Sequence, residues 1–275
     1  DHGRGTPLDK TAAFGWFKKA AEQGNAVAQF NCGNMCFKGE GTAQDKTAAF
    51  GWYKKAAEQG HATAQFACGS MLDNGEGVPQ DKAAAFGWYQ KAAEQGDPDA
   101  QFWCGSMYNA GEGVPQDKAA AFGWYKKAAE RGDAVAQLKC GDMCYNGEGT
   151  GEDKAVAFGW YQKAAEQGSM IARFRCGAML DSGDGVAVDK AAAFGWYQKA
   201  AEQGSATAQF NCGNMCYKGE GTAEDMAAAF GWYQKAAEQG DPDAQFNCGN
   251  MCYKGEGTAQ DKAAAFGWYQ KAAEQ

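Results

Sequence analysis

Tryptophan stands at positions 16, 52, 88, 124, 160, 196, 232 and 268, a spacing of 36 residues throughout, and only Trp103 is out of phase. A fixed period of that length is the mark of an array of small supersecondary units, each too small to bury its own apolar face. The complete units are residues 25–60, 61–96, 97–132, 133–168, 169–204 and 205–240, with 241–275 lacking only the last glycine. The expected organisation is a partial repeat over 1–24, holding the second helix only, followed by seven repeats over 25–275 in one continuous solenoid.

Each unit reads as two helices. Asn25, His61, Asp97, Asp133, Ser169, Ser205 and Asp241 open the first, and all but His61 are good N-cap residues. Pro98 and Pro242 stand at the first helical position. This helix A ends at Gly39-Glu40-Gly41 and its equivalents, where glycine takes the left-handed conformation that closes a helix. Asp45 and its equivalents then cap an Ala-rich helix B, in which Ala49, Phe50, Tyr53, Ala56 and Ala57 share one wide apolar face beside Trp52. The outermost helices, from Lys10 and up to Gln275, carry the same face with nothing beyond to cover it. A longer array, cover by another chain, deliberate assembly of the repeats and end-to-end self-association are all open on that ground.

Ala28-Gln29, Gly33, Met35, Gly39-Glu40-Gly41, Asp45 and Trp52-Tyr53-Lys54-Lys55-Ala56-Ala57-Glu58-Gln59-Gly60, recurring in register, resemble the Sel-1-like repeat, a relative of the tetratricopeptide repeat. The resemblance spans essentially the whole chain. It implies an all-α, right-handed α-solenoid used as a scaffold or adaptor, with no catalytic residues to carry over. One departure is that Cys32, and often Cys36, stand where the family usually has Leu and an aromatic residue.

Between units, change is concentrated in four rows: those of Val27, Asn31, Asn34 and Lys38. Their steps of four, three and four residues place them on one face of helix A. The resemblance puts this stripe on the concave surface, where a peptide or partner helix crosses successive units. In the second row, Asn31, Ala67, Trp103, Lys139, Arg175, Asn211 and Asn247 follow one another. Trp and Arg are frequent interface anchors. Trp103 is therefore expected to pack an apolar side chain, Lys139 and Arg175 to meet an acidic group, and Asn31, Asn211 and Asn247 to hydrogen-bond the partner's backbone. A solvated face under no constraint would vary too, and Asp99 and Asp142 make the surface mixed.

The eleven cysteines contain no C-x-x-C pair, so thiols are the default, which suits a reducing compartment such as the cytoplasm. In four units C-x-x-M-C sets three soft sulfur groups along helix A: Cys32, Met35 and Cys36; Cys140, Met143 and Cys144; Cys212, Met215 and Cys216; and Cys248, Met251 and Cys252. That pattern supports an alternative function, storage of Cu(I) or of thiol equivalents. The stronger reading is core packing, since buried Cys behaves as a small hydrophobe. The next residue follows suit: aromatic at Phe37, Tyr145, Tyr217 and Tyr253 after the second Cys, but polar at Asp73, Asn109 and Asp181 after Leu72, Tyr108 and Leu180.

Net charge is −8, with no basic patch and no apolar run long enough to span a membrane, which argues against nucleic acid as partner and against a membrane helix. His2 and His61 are unrelated within the repeat, and no nucleophile recurs beside a base, so neither an enzyme nor a cofactor is expected. The expected partner is a protein or peptide.

Overall fold

A computed structural model describes residues 9–274; His2 and Gln275 lie outside them. The described residues form fifteen helices and no strand. Helix B occurs as α1 (Lys10–Glu22), α3 (Lys46–Glu58), α5 (Lys82–Glu94), α7 (Lys118–Glu130), α9 (Lys154–Glu166), α11 (Lys190–Glu202), α13 (Met226–Glu238) and α15 (Lys262–Ala273). Helix A occurs between them as α2 (Ala26–Lys38), α4 (Ala62–Asn74), α6 (Pro98–Ala110), α8 (Ala134–Asn146), α10 (Met170–Ser182), α12 (Ala206–Lys218) and α14 (Pro242–Lys254). The chain divides into two compact units, one reaching Ala136 and taking in Glu148–Thr150, the other formed by Gln137–Gly147 and the residues from Gly151 onward.

The caps follow from chemistry the sequence displays. Asp45 Oδ1 accepts the amide of Ala48 at 2.9 Å, and the equivalent Asp opens every other helix B among the described residues. His61, the weakest cap candidate, serves as well: its Nδ1 accepts the amide of Ala64 at 3.3 Å while its ring stacks on Phe30 at 4.8 Å. At the other end of helix A, Gly39 has φ 71° and Gly41 φ 70°. A Cβ on Gly41 would lie 2.1 Å from the carbonyl oxygen of Lys10, so this turn needs glycine both for its backbone and for the approach of the preceding helix B.

Within each repeat, Ala49, Tyr53, Ala56 and Ala57 of helix B are buried against helix A. Burying one such aromatic ring is worth about 1.5–3 kcal/mol. Gly33 makes the fit, since a Cβ there would fall 2.5 Å from the Tyr53 ring. Cys32, Cys68, Cys104, Cys140, Cys176, Cys212 and Cys248 are wholly buried, where the packing reading put them.

Two polar ladders, not anticipated from the sequence, join one repeat to the next. In the first, the buried Gln29 donates from Nε2 to the Ala21 carbonyl of the preceding helix B at 3.0 Å and accepts from Gln59 Nε2 at 2.7 Å. Gln65 with Gln95 and Gln209 with Gln239 repeat the arrangement. In the second, the lysine that opens helix B reaches the acidic residue between the two turn glycines of the following repeat. The pairs are Lys10–Glu40, Lys46–Glu76, Lys82–Glu112, Lys118–Glu148, Lys154–Asp184 and Lys190–Glu220. A cation at a helix N-terminus opposes the helix dipole. These pairs offset that cost, though half-exposed ion pairs contribute about 0–1 kcal/mol each.

The residue after the second Cys position serves the same lysine. Lys46 lies over the Phe37 ring at 5.1 Å and Lys154 over Tyr145 at 5.1 Å, whereas Asp181 binds Lys190 directly at 2.5 Å. Where this residue is aromatic or acidic, its choice thus has an electrostatic reason in addition to bulk.

Candidate functional site

The four changing rows face outward. Val27, Trp103, Lys139, Arg175, Lys38, Lys218 and Lys254 are exposed, while Asn31, Asn211 and Asn247 are half-buried. The structure distributes the expected site between the units: Asn31 and Trp103 lie in the first, Lys139, Arg175, Asn211 and Asn247 in the second.

Trp103 is 39% exposed and braced by aromatic neighbours. Its ring stacks on Tyr89 at 6.1 Å with an interplanar angle of 11° and meets Phe102 edge-on at 5.9 Å. A large apolar face held in one orientation loses little entropy on contact, which suits an interface anchor. Arg175 lies near the Tyr145 and Tyr161 hydroxyls, but both are pushed up, Tyr145 by its hydrogen bond to Asp184 and Tyr161 by burial.

The Asn34 row has an orientation set from beneath. The Tyr53 hydroxyl donates to Asn34 Oδ1 at 2.8 Å, Tyr233 to Asn214 Oδ1 at 2.7 Å and Tyr269 to Asn250 Oδ1 at 2.9 Å. With its oxygen so engaged, each of these amides is left with its N–H groups as donors. In the repeat of Asp142, Tyr161 donates to a carboxylate instead, at 2.9 Å. The Asn31 row lies beside the same tyrosines, Asn211 near the Tyr197 hydroxyl and Asn247 near the Tyr233 hydroxyl. The tyrosine row connecting these Asn positions was missed by the sequence reading; its signal was that Tyr53 recurs in every full unit, one helix away from the varying stripe.

In the second unit these rows frame a cleft of about 240 Å³, whose lining includes Asn214, Tyr233, Asn247, Asn250, Lys218 and Lys254 together with Tyr217 and Glu256. It offers amide donors and two ammonium groups over a tyrosine floor.

The sulfur groups of the C-x-x-M-C sites are inside. All eleven cysteines are buried thiols. Burial pushes the thiol of Cys32 up to about 11, and those of Cys68, Cys104, Cys176, Cys212 and Cys248 up to about 12. Cys36, Cys216 and Cys252 shift in the same direction for the same reason. Met143, Met215 and Met251 are buried beside them, and Met35 is half-buried. Among the described residues no three His, Cys, Asp or Glu side chains gather as ligands for a metal ion, and no helix is long and apolar enough to cross a membrane.

Paired helices in 36-residue register, joined by polar ladders, define an all-α solenoid repeat protein. The profile of the Sel1 repeat matches residues 1–25, 26–61, 62–97, 98–133, 134–169, 171–205, 206–241 and 242–275, and the chain belongs to the Sel1 repeat family. Its fold is similar to that of a protective antigen present in uropathogenic Escherichia coli strains, which displays an SLR fold: 40% identity, TM-score 0.87, over 95% of this chain and 56% of that one. The chain thus spans little more than half the length of that relative. It is also similar to a Sel1 repeat protein from Oxalobacter formigenes: 33% identity, TM-score 0.74, over 98% of this chain and 79% of that one. No match is found among curated proteins. Sel1 repeat proteins are generally non-enzymatic scaffolds for protein–protein interaction.

Proposed function

We propose that this chain is a non-enzymatic scaffold that binds a protein or peptide along the helix A stripe, the surface that is concave in arrays of this kind. The observation that carries this reading is the concentration of change between units in one outward-facing row system, while the apolar face of helix B stays nearly the same. Trp103 keeps 39% of its surface exposed although its ring packs on Tyr89 and Phe102, and Lys139 and Arg175 follow it in the next repeats. Trp103 supplies an apolar anchor, Lys139 and Arg175 attract an acidic group, and Asn31, Asn211 and Asn247 serve the partner's main chain. The charge of −8 argues against nucleic acid as the partner.

The test is a selection of peptides from a random display library on the intact protein, followed by affinity measurement on Trp103→Ala and Arg175→Ala. Loss of a hot-spot side chain costs about 2 kcal/mol or more, roughly thirty-fold in affinity. If selected peptides bind both variants as well as the parent, the stripe is not the binding surface.

A further inference from the structure

The lysine ladder has one altered rung. In six repeats the residue that opens helix B is a lysine paired to the turn acid of the next repeat, but α13 opens with Met226, and no lysine from helix B reaches Glu256. Met226 instead packs, with Tyr217, against the apolar core of its repeat. Glu256 pairs instead with Lys254 Nζ at 3.6 Å; it also accepts from the Tyr217 hydroxyl at 3.3 Å, a contact that Tyr145 makes to Asp184 even with Lys154 in place. Tyr217, Lys254 and Glu256 all line the cleft over Tyr233, so one of its two ammonium groups already faces an internal carboxylate.

The stripe of this unit is cationic in an anionic protein. Lys139, Arg175, Lys218 and Lys254 stand against Asp142 and Asp243 only, while the chain as a whole carries −8. Asn214 and Asn250 add amide N–H donors whose direction Tyr233 and Tyr269 fix. Every one of these groups is suited to an acceptor that carries negative charge.

Building on the scaffold reading, we infer that the cleft over Tyr233 takes an acidic side chain of an extended peptide, and that Glu256 is its internal competitor. The incoming carboxylate pairs with Lys218 and Lys254 and accepts from Asn214, and Glu256 must give up Lys254 for it to do so. The altered rung is what leaves Glu256 to Lys254: a lysine at position 226 would compete for that carboxylate, as Lys190 pairs with Glu220 at 3.4 Å.

Fluorescence anisotropy at low salt tests this, with a labelled peptide in which Glu alternates with Ser and the same peptide with Gln for every Glu. The Glu peptide is expected to bind about three- to ten-fold more tightly than the Gln peptide, an interval typical of one or two partly exposed ion pairs. Lys218→Ala with Lys254→Ala removes that preference. Glu256→Gln and Met226→Lys, each checked for folding by circular dichroism, both raise affinity for the Glu peptide. Met226→Lys restores the residue that opens every other helix B, so its expected gain comes without a new kind of contact. Equal binding of the two peptides, or no gain from either substitution, overturns the inference. If library-selected peptides still depend on Trp103 and Arg175 in that case, the scaffold reading stands without it; if no peptide of any kind binds, both fall.

Discussion

Gln101 and Arg131 belong to the same repeat and occupy the two positions that elsewhere form a glutamine rung, yet they do not meet. Gln101 Oε1 is buried with no hydrogen-bond donor, and Arg131 gives its guanidinium to the Gly96 carbonyl at 2.7 Å. In the repeats of Gln29 and Gln65 that buried oxygen receives a glutamine amide at 2.7 Å. An unsatisfied buried acceptor costs about 1–3 kcal/mol. Arg131→Gln is expected to raise stability by about 1 kcal/mol, read as a higher urea midpoint. An unchanged or lower midpoint would show that Gln101 is already satisfied in solution.

Two glycines one helix apart are expected to answer the same substitution with opposite signs. A Cβ on Gly105 would lie 2.7 Å from the Tyr125 ring, so Gly105→Ala overpacks the repeat at a cost of about 1–3 kcal/mol. At Gly123, in the middle of α7, a Cβ would have nothing within 4 Å, and alanine there removes a helix penalty of roughly 0.5–1 kcal/mol. Thermal melts of the two variants separate the cases. A loss at Gly123 would mean that its open face is needed for a contact the isolated chain does not show.

Alkaline pH is expected to weaken the fold. Cys68 and Cys104 are raised from an ordinary 9.0 to about 12 by burial, and Tyr53 from 10.0 to about 12. These groups hold their protons in the folded protein after the unfolded chain has released them, so their contribution is full below pH 9 and is lost as pH rises toward 12. The melting temperature should therefore fall steeply above pH 9, and less steeply in Cys68→Ala or Cys104→Ala variants that remain folded. A flat profile through that window would contradict the burial of these thiols.

The same burial makes the sulfur groups poor sites for a soft metal, because the thiolate is the ligand and each must first be uncovered. Native mass spectrometry after incubation with Cu(I) under reducing conditions is expected to give the bare mass, with thiol reagents labelling only after denaturant is added. Stoichiometric copper on the folded protein would restore the storage alternative and point to the four C-x-x-M-C repeats.

Much of this fold is legible in the sequence because its causes are local. A cap, a glycine at positive φ and an apolar face each lie within a few residues of one another, and Asp45, Gly39 and Tyr53 repeat that information in every unit. The ladders were not legible, since Lys46 meets Glu76 and Gln59 meets Gln29 across 30 residues. Only the three-dimensional repeat brings these pairs together, and each residue alone reads as ordinary surface or helix-end chemistry. The stripe was visible as a pattern of change, but its tyrosine underside was not: Tyr53 lies 19 residues from Asn34, on the other helix of its hairpin.

The most direct measurement of the central claim is site-specific photo-crosslinking of a library-selected peptide to the folded protein. A photoreactive residue at position 139 or 175, on helix A, is expected to form the peptide adduct, whereas one at position 126 or 162, both exposed on helix B, is not. Adducts from 126 and 162 in preference to 139 and 175 would place the partner on the other face and contradict the account.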